Sequence, residues 1–303
     1  MKNIQSILTT SRLILSECAI AERLRRDPEV ELHPSLFITP LIYDEKGRTK
    51  MTDIYRQYRD VAAKASLPIL LCAPTWRVDA DRLAAAGYGR ELLHDAVGFM
   101  AELRDQWDEP SSPVILGALV APKNDCYRPS EALDADEAAD YHGWQIEQLA
   151  KAGVDCIIAQ TMPAVSEAMG VAQAISQTGT PGIISFVINR KAQILDGTNL
   201  GDGIAQIDKR LAKPLPGYMV NCVYPTFIRA EEQNRGIFTR LLGIQANSSS
   251  MDHSQLEGSP VLHQDDLSHW GEEMLCLNRR FGVKILGGCC GTDDTYLQYL
   301  IEH

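Results

Sequence analysis

A chain of 303 residues with 45% apolar and 23% charged side chains has the composition of a soluble globular protein, and the length of one large domain or two ordinary ones. Its formal net charge of -11 argues against nucleic acid or an anionic membrane surface as the main partner, and no run approaches the roughly 18 apolar residues of a membrane helix. Met1-Lys2-Asn3 opens no signal-peptide core, so the expected location is the cytoplasm.

In chain order, strand-like and helical runs alternate. Arg12 to Ser16 is a first short strand, followed by a turn and helix over Glu17 to Arg26. Ser35 to Tyr43 is an ordered excursion, and Thr49 to Ala65 has helical spacing through Met51, Ile54, Tyr55, Tyr58 and Val61. Ile69 to Cys72 is strand two, Arg90 to Gln106 a helix, and Pro113 to Val120 strand three. Asp134 to Lys151 is a helix with Asp134 as N-cap and Gly153 as stop. Cys156 to Ala159 and Gly182 to Val187 are strands four and five, with helices over Val165 to Gln177 and Leu200 to Leu211. Met219-Val220 is strand six, Phe227 to Arg235 a helix, and Leu241 to Gln245 strand seven. A polar loop covers Ala246 to Leu262, Asp265 to Arg280 is the last long helix, and Lys284 to Leu286 is strand eight.

Eight strands separated by helices, with no dividing linker, predict a single (β/α)8 TIM barrel over residues 1–303. An open doubly wound sheet is the alternative, but no Gly-x-Gly-x-x-Gly or Gly-Lys-Ser/Thr phosphate loop follows a strand. Active sites of the barrel lie at the C-terminal strand ends. Cys222 ends strand six, and the tip of strand eight runs through Gly287-Gly288-Cys289-Cys290-Gly291-Thr292. The glycines let the backbone turn and leave room beside the sulfurs. Strands six and eight are alternate strands, so the three sulfurs can meet. Three thiolates make a zinc site with one position open, the catalytic arrangement; a closed structural zinc or a reactive thiol pair is the other reading. Cys18, Cys72, Cys126, Cys156 and Cys276 sit mostly among apolar neighbours and read as small core residues.

Asn221-Cys222 and the Gly-Gly-Cys-Cys-Gly-Thr of 287–292 resemble the homocysteine S-methyltransferase family. The likeness runs through Ala152 to Asp155, Thr161-Met162-Pro163, Glu167-Ala168, Ile184 to Phe186 and Gln245 to Ser248, nearly the whole chain. It implies a (β/α)8 barrel with zinc held by cysteines matching Cys222, Cys289 and Cys290. It implies a methyl transfer from a sulfonium or quaternary ammonium donor (S-methylmethionine, S-adenosylmethionine or betaine type) to a thiol, homocysteine giving methionine. Three departures stand out. Ser16-Glu17-Cys18 replaces the family's Asp-Gly turn, the neutral Gln160 replaces a glutamate before the Thr-Met-Pro step, and Tyr296 replaces a common histidine. They leave open a different small thiol as acceptor, or a zinc or thiol sensor without catalysis.

A zinc-bound thiol is favoured as the nucleophilic thiolate, and a cationic donor loses its charge as the methyl leaves, so no acid or base is strictly needed. Candidate substrate contacts are strand-tip and loop residues. Glu17 either receives an amino group or cationic donor or is simply a favourable charge at a helix N-terminus. Gln160 and Asn221 would hydrogen-bond substrate. Thr75 and Trp76 follow strand two, where Trp76 would either pack on a methylated cation or anchor the loop. Asp125 and Tyr127 follow strand three, where the family has a similar pair. The expected partners are a small thiol and a methyl donor, with neither nucleic acid nor membrane, and self-association is left open.

Overall fold

The protein is described from a computed structural model covering residues 4–107, 109–256, 259 and 261–303. Eight strands, β1 (Ile14–Ser16), β2 (Ile69–Ala73), β3 (Val114–Val120), β4 (Cys156–Met162), β5 (Gly182–Phe186), β6 (Gly217–Val223), β7 (Leu241–Ala246) and β8 (Ile285–Gly288), form a closed barrel in sequence order. All pairs are parallel, and the barrel closes where Ile14 and Leu15 of β1 pair with Ile285 and Leu286 of β8. The strands are mainly apolar because a parallel sheet sheathed in helices is buried on both faces, and their polar residues, such as Gln160, Asn221 and Gln245, stand toward the C-terminal ends. β2, for instance, is Ile-Leu-Leu-Cys-Ala, buried at every position.

Inside the barrel, Ile14, Leu70, Cys72, Ile115, Cys156, Ile158, Ile183, Met219 and Ile285 form one cluster. Ile4 and Leu8 of an N-terminal helix, Ile4–Thr10, join it and close the barrel on the side where the strands begin. The interior is therefore a packed plug, and chemistry has room only at the other end. A second, larger cluster packs the outer strand faces against the helices.

Helix boundaries follow their caps. Asp134 accepts a hydrogen bond from the Glu137 N–H (2.9 Å), and Gly153 ends the helix Ala135–Ala152 in the left-handed conformation, as expected. The helix expected from Thr49 begins earlier, at Glu45, because the Asp44 carboxylate caps the Gly47 N–H at 2.6 Å. The helix expected over Phe227 to Arg235 is absent. Three short 3-10 turns, Pro225–Ile228, Ala230–Glu232 and Arg235–Thr239, take its place, separated where Arg229 turns to φ +49° and where Asn234 caps anew. The helix expected over Glu17 to Arg26 shrinks to Ala21–Arg25. Helices at Ala80–Ala86 and Asp294–Glu302 go beyond the sequence reading. The loop expected over Ala246 to Leu262 holds a short helix, His253–Leu256, while its Glu257, Gly258 and Pro260 lie outside the described residues.

Candidate functional site

At the C-terminal end of the barrel the two cysteine stretches converge. The sulfurs of Cys222, Cys289 and Cys290 all lie within 4.8 Å of one another, with Cys222 and Cys289 at 2.8 Å. No other His, Cys, Asp or Glu joins the three in such a group among the described residues. Thiol donors from Cys289 and Cys290, with the Tyr127 hydroxyl, hold the Cys222 thiol well below its ordinary range. Cys289 is correspondingly pushed up by its bond to Cys222, and Cys290 is pushed up to about 12 by the same neighbour. Three clustered sulfurs, with the thiolate form favoured at Cys222, make a donor set suited to a thiophilic metal ion.

Two backbone irregularities bring these side chains in. Along a regular strand, Asn221 and Cys222 would face opposite sides. The β6–β7 register shifts between Asn221 and Val223, and Cys222 takes φ +54°, so consecutive side chains turn to the same side. The Asn221 Nδ2 then donates to the Cys222 sulfur at 3.3 Å. β4 repeats the device: its register shifts between Ala159 and Met162, Thr161 has φ +66°, and both Gln160 and Thr161 line the cavity above the sulfurs. Asn221 couples the two irregularities. Its Oδ1 accepts from the Thr161 N–H (2.9 Å) and the Ser185 hydroxyl (2.7 Å), and its Nδ2 donates to the Thr161 hydroxyl (2.7 Å).

The double glycine serves a close approach rather than a special φ. A Cβ on Gly287 would meet the Ser16 carbonyl at 2.7 Å, and one on Gly288 would meet the Cys18 sulfur at 2.7 Å and the Thr292 hydroxyl. Only Gly291 of the motif has a positive φ, +80°. Gly288→Ala should therefore lower stability by about 1–3 kcal/mol, the usual cost of overpacking, read as a drop in thermal midpoint. An unchanged midpoint would mean that β1 and β8 part freely here.

The cavity above the sulfurs has a volume of about 750 Å³, and Glu17, Trp76, Gln160 and all three cysteines line it. Glu17 is buried, and its Oε2 accepts only one described hydrogen bond, from the Cys72 N–H at 2.6 Å. Burial raises its pKa from 4.5 to about 8, so the acid is mostly protonated at neutral pH. Gln160 donates to Gln245 Oε1 (2.7 Å), and Gln245 donates to the Ser16 hydroxyl (3.0 Å), making a neutral belt from β4 through β7 to β1.

Two expected contacts fall outside the cavity, and a third, Trp76, meets a cation of this chain. The Thr75 hydroxyl is buried off the cavity, donating to the Leu119 carbonyl and accepting from the Leu119 N–H, both at 2.9 Å; it stitches the loop after β2 to β3. The amide of Asn221 is spent on protein groups and does not line the cavity, so it positions Cys222 rather than holding substrate. Trp76 does line the cavity, but the cation on its ring is Arg77 of this chain, 4.9 Å from the centroid. Asp125 and Tyr127 both line the cavity, and the Tyr127 ring stacks on His253 at 4.5 Å.

The sequence profile of the homocysteine S-methyltransferase family matches residues 13–303. The chain belongs to the homocysteine S-methyltransferase family. Homocysteine S-methyltransferase YbgG of Bacillus subtilis is 25% identical over 323 residues, covering 98% of this chain and 96% of that protein. Homocysteine S-methyltransferase 2 of Arabidopsis thaliana is 23% identical over 175 residues, 55% of this chain and 50% of its own length. Among solved structures, the metallated form of the homocysteine methyltransferase MmuM of Escherichia coli superposes with a TM-score of 0.77 at 17% identity, covering 99% of each chain. That likeness establishes the shared TIM barrel.

Within this family member, several working residues escape sequence reasoning. Thr161 and Gln245 could have been found only from the register shift and the cross-barrel pairing. Glu167 is fully buried, and its Oε1 accepts from the Lys123 N–H (2.8 Å) and lies 2.9 Å from His142 Nε2, tying the loop after β3 to the helix Val165–Thr178. Its signals are its place in the family-like Glu167-Ala168 pair and an acid where the helix pattern asks for an apolar side chain.

Proposed function

We propose that the chain, as one barrel domain, is a zinc-dependent S-methyltransferase whose best-supported acceptor is homocysteine. Cys222, Cys289 and Cys290 would hold Zn2+, and the donor would be a sulfonium or quaternary ammonium compound such as S-methylmethionine, S-adenosylmethionine or betaine. The observation that carries this reading is the convergence of three sulfurs at the base of a cavity of substrate size, on the chemical end of a TIM barrel. Bound zinc favours the thiolate form of a coordinated thiol at neutral pH.

The chain's own residues supply positioning. Asn221 fixes the direction of Cys222, and the cavity walls around Glu17, Trp76 and Gln160 shelter the reacting groups from water. The acceptor thiol releases its proton to solvent and attacks as the thiolate; the new bond runs from its sulfur to the methyl carbon, and the electron pair of the breaking bond returns to the donor sulfur or nitrogen, neutralising it. That balance requires no proton from the protein, in keeping with a site that shows no Ser/His/Asp arrangement among the described residues. The family context favours a reducing compartment, the cytoplasm, in which thiols such as Cys222, Cys289 and Cys290 stay available to a metal.

The test is methionine formation from homocysteine with each donor in turn, using zinc-loaded and chelator-stripped protein. Activity that survives removal of all metal would sink the proposal. The belt of Ser16, Gln160 and Gln245 favours a second reading, in which another small thiol is the acceptor. Slow turnover of homocysteine beside rapid turnover of another thiol would select it.

Glu17 gives this reading a pH signature. A folded-state value of about 8 against an ordinary 4.5 means that the folded protein keeps a proton that the unfolded chain releases between those values. The stability that this proton brings is complete below about pH 4.5 and is lost as pH rises through about 8. A cationic substrate group beside Glu17 favours the ionised form, so its affinity should rise with pH up to about 8. Glu17→Gln should flatten both profiles, and equal pH slopes in the two proteins would remove Glu17 from substrate binding.

A further inference from the structure

Arg77 follows Trp76 in the cavity wall and lies against two rings, 4.9 Å from the Trp76 centroid and 5.3 Å from that of Phe37. The residue as a whole is half-buried, but its Nε is fully buried and has no hydrogen-bond partner among the described residues. The two neighbouring acids are committed elsewhere among the described residues. Asp79 pairs with Arg82, and Asp125 binds the Tyr127 N–H at 2.9 Å and lies 3.4 Å from Arg128. Burial and the nearby Arg82 charge both disfavour the cationic form of Arg77.

A guanidinium offers five planar donors and remains charged in proteins, so burial without an acceptor is costly. Ring contacts fix its plane but supply no acceptor of matching charge. A planar anion would satisfy the buried Nε–H together with a neighbouring N–H of the same fork. Lys123, also on the cavity wall, has its ammonium over the Tyr141 ring at 4.6 Å and adds to the positive field. The support for Arg77 is built onto the site's own framework. The Trp76 indole N–H donates to the Gln160 carbonyl at 3.3 Å, and the next residue, Thr161, is held by Asn221 beside Cys222.

We propose that Arg77 is a specificity residue that receives the carboxylate of a small-molecule substrate bound in the cavity. The proposal rests on the cavity being the substrate site of the methyl transfer proposed above. A thiol acceptor and a methyl donor can each carry such a carboxylate, and the shared chemistry is the anion.

The first test uses the full-length, zinc-loaded protein and follows the Arg77 Nε–H resonance, assigned by its absence from Arg77→Lys. Butyrate should shift it saturably, while butyramide, its uncharged counterpart, should not. A resonance that ignores butyrate, or answers both compounds alike, overturns the proposal. The second test is steady-state kinetics of Arg77→Gln. Loss of a charge-assisted pair should raise the KM of the carboxylate-bearing substrate about tenfold to a hundredfold, with kcat changed by no more than about twofold. The substrate whose KM moves identifies the source of the anion; unchanged KM for both overturns the proposal. The two readings fail separately. A butyrate response without methyl transfer would end the transferase reading and keep the anion subsite, whereas normal methyl transfer by Arg77→Gln would do the reverse.

Discussion

Cys289→Ser should lose its bound zinc and should transfer methyl groups about a thousandfold more slowly than the native protein, a loss of ~4 kcal/mol of the stabilisation a metal lends to reacting charge. The direction follows from the donor set. Among the described residues no fourth His, Cys, Asp or Glu offers a ligand atom within 4.8 Å of all three sulfurs, and a hydroxyl is a poor substitute for a thiolate toward a thiophilic ion. The barrel should remain intact. Cys289 lies just past β8, and its backbone N–H donates to the Ala246 carbonyl at 2.7 Å whatever the side chain. Unfolding should therefore move by no more than about 1 kcal/mol in metal-free protein. Metal content, activity and thermal unfolding of the two proteins, measured side by side, decide the matter. A variant that keeps one zinc per chain and full activity would refute the three-cysteine centre, and one that unfolds would mean that the cysteine is structural. Stripping the native protein with a chelator should reproduce the variant, and added zinc should restore the native protein alone.

Much of this was written locally in the sequence. Strand eight announces itself because the apolar pair Ile285-Leu286 stops abruptly at two glycines, and the helix Ala135–Ala152 because Asp134 and Gly153 bracket it. Cys222 stood out because it ends a short apolar run. What the sequence hid depends on contacts between distant residues. Asn221 looks like a strand-tip amide free for substrate; only the register shift and the left-handed φ of Cys222 show that its amide is used up within the barrel. Thr75 looks the same and is likewise spent, on the Leu119 backbone. Arg77 gave no signal, since an arginine after an aromatic residue is ordinary until its partners are sought and not found. The helix expected over Phe227 to Arg235 gives way to 3-10 turns because Arg229 and Asn234 break the backbone in ways that a residue pattern cannot show.

Asn221→Ala should damage the centre without touching a sulfur. The substitution leaves the Thr161 N–H and the Ser185 hydroxyl, both buried, without the acceptor they share. Two orphaned buried groups cost about 2–4 kcal/mol of stability. Thr161 and Cys222, both in the left-handed region that non-glycine residues enter at a cost of roughly 1–2 kcal/mol each, lose the bridge that holds them there. Released, β6 should relax toward regular alternation and carry the Cys222 sulfur away from Cys289 and Cys290. Zinc affinity should fall about tenfold to a hundredfold, the usual penalty for removing a group that orients a metal ligand. Asn221→Asp separates strain from simple instability. The acid keeps an acceptor for Thr161 and Ser185 but has no N–H for the Thr161 hydroxyl or the Cys222 sulfur, and it sets a carboxylate against a thiolate. Its fold should be less affected than that of the alanine variant while its zinc affinity drops comparably. Chelator competition reads the affinity and thermal unfolding the stability. If zinc affinity tracked stability alone across both variants, Asn221 would be a structural residue only, and the strained Cys222 backbone would owe nothing to it.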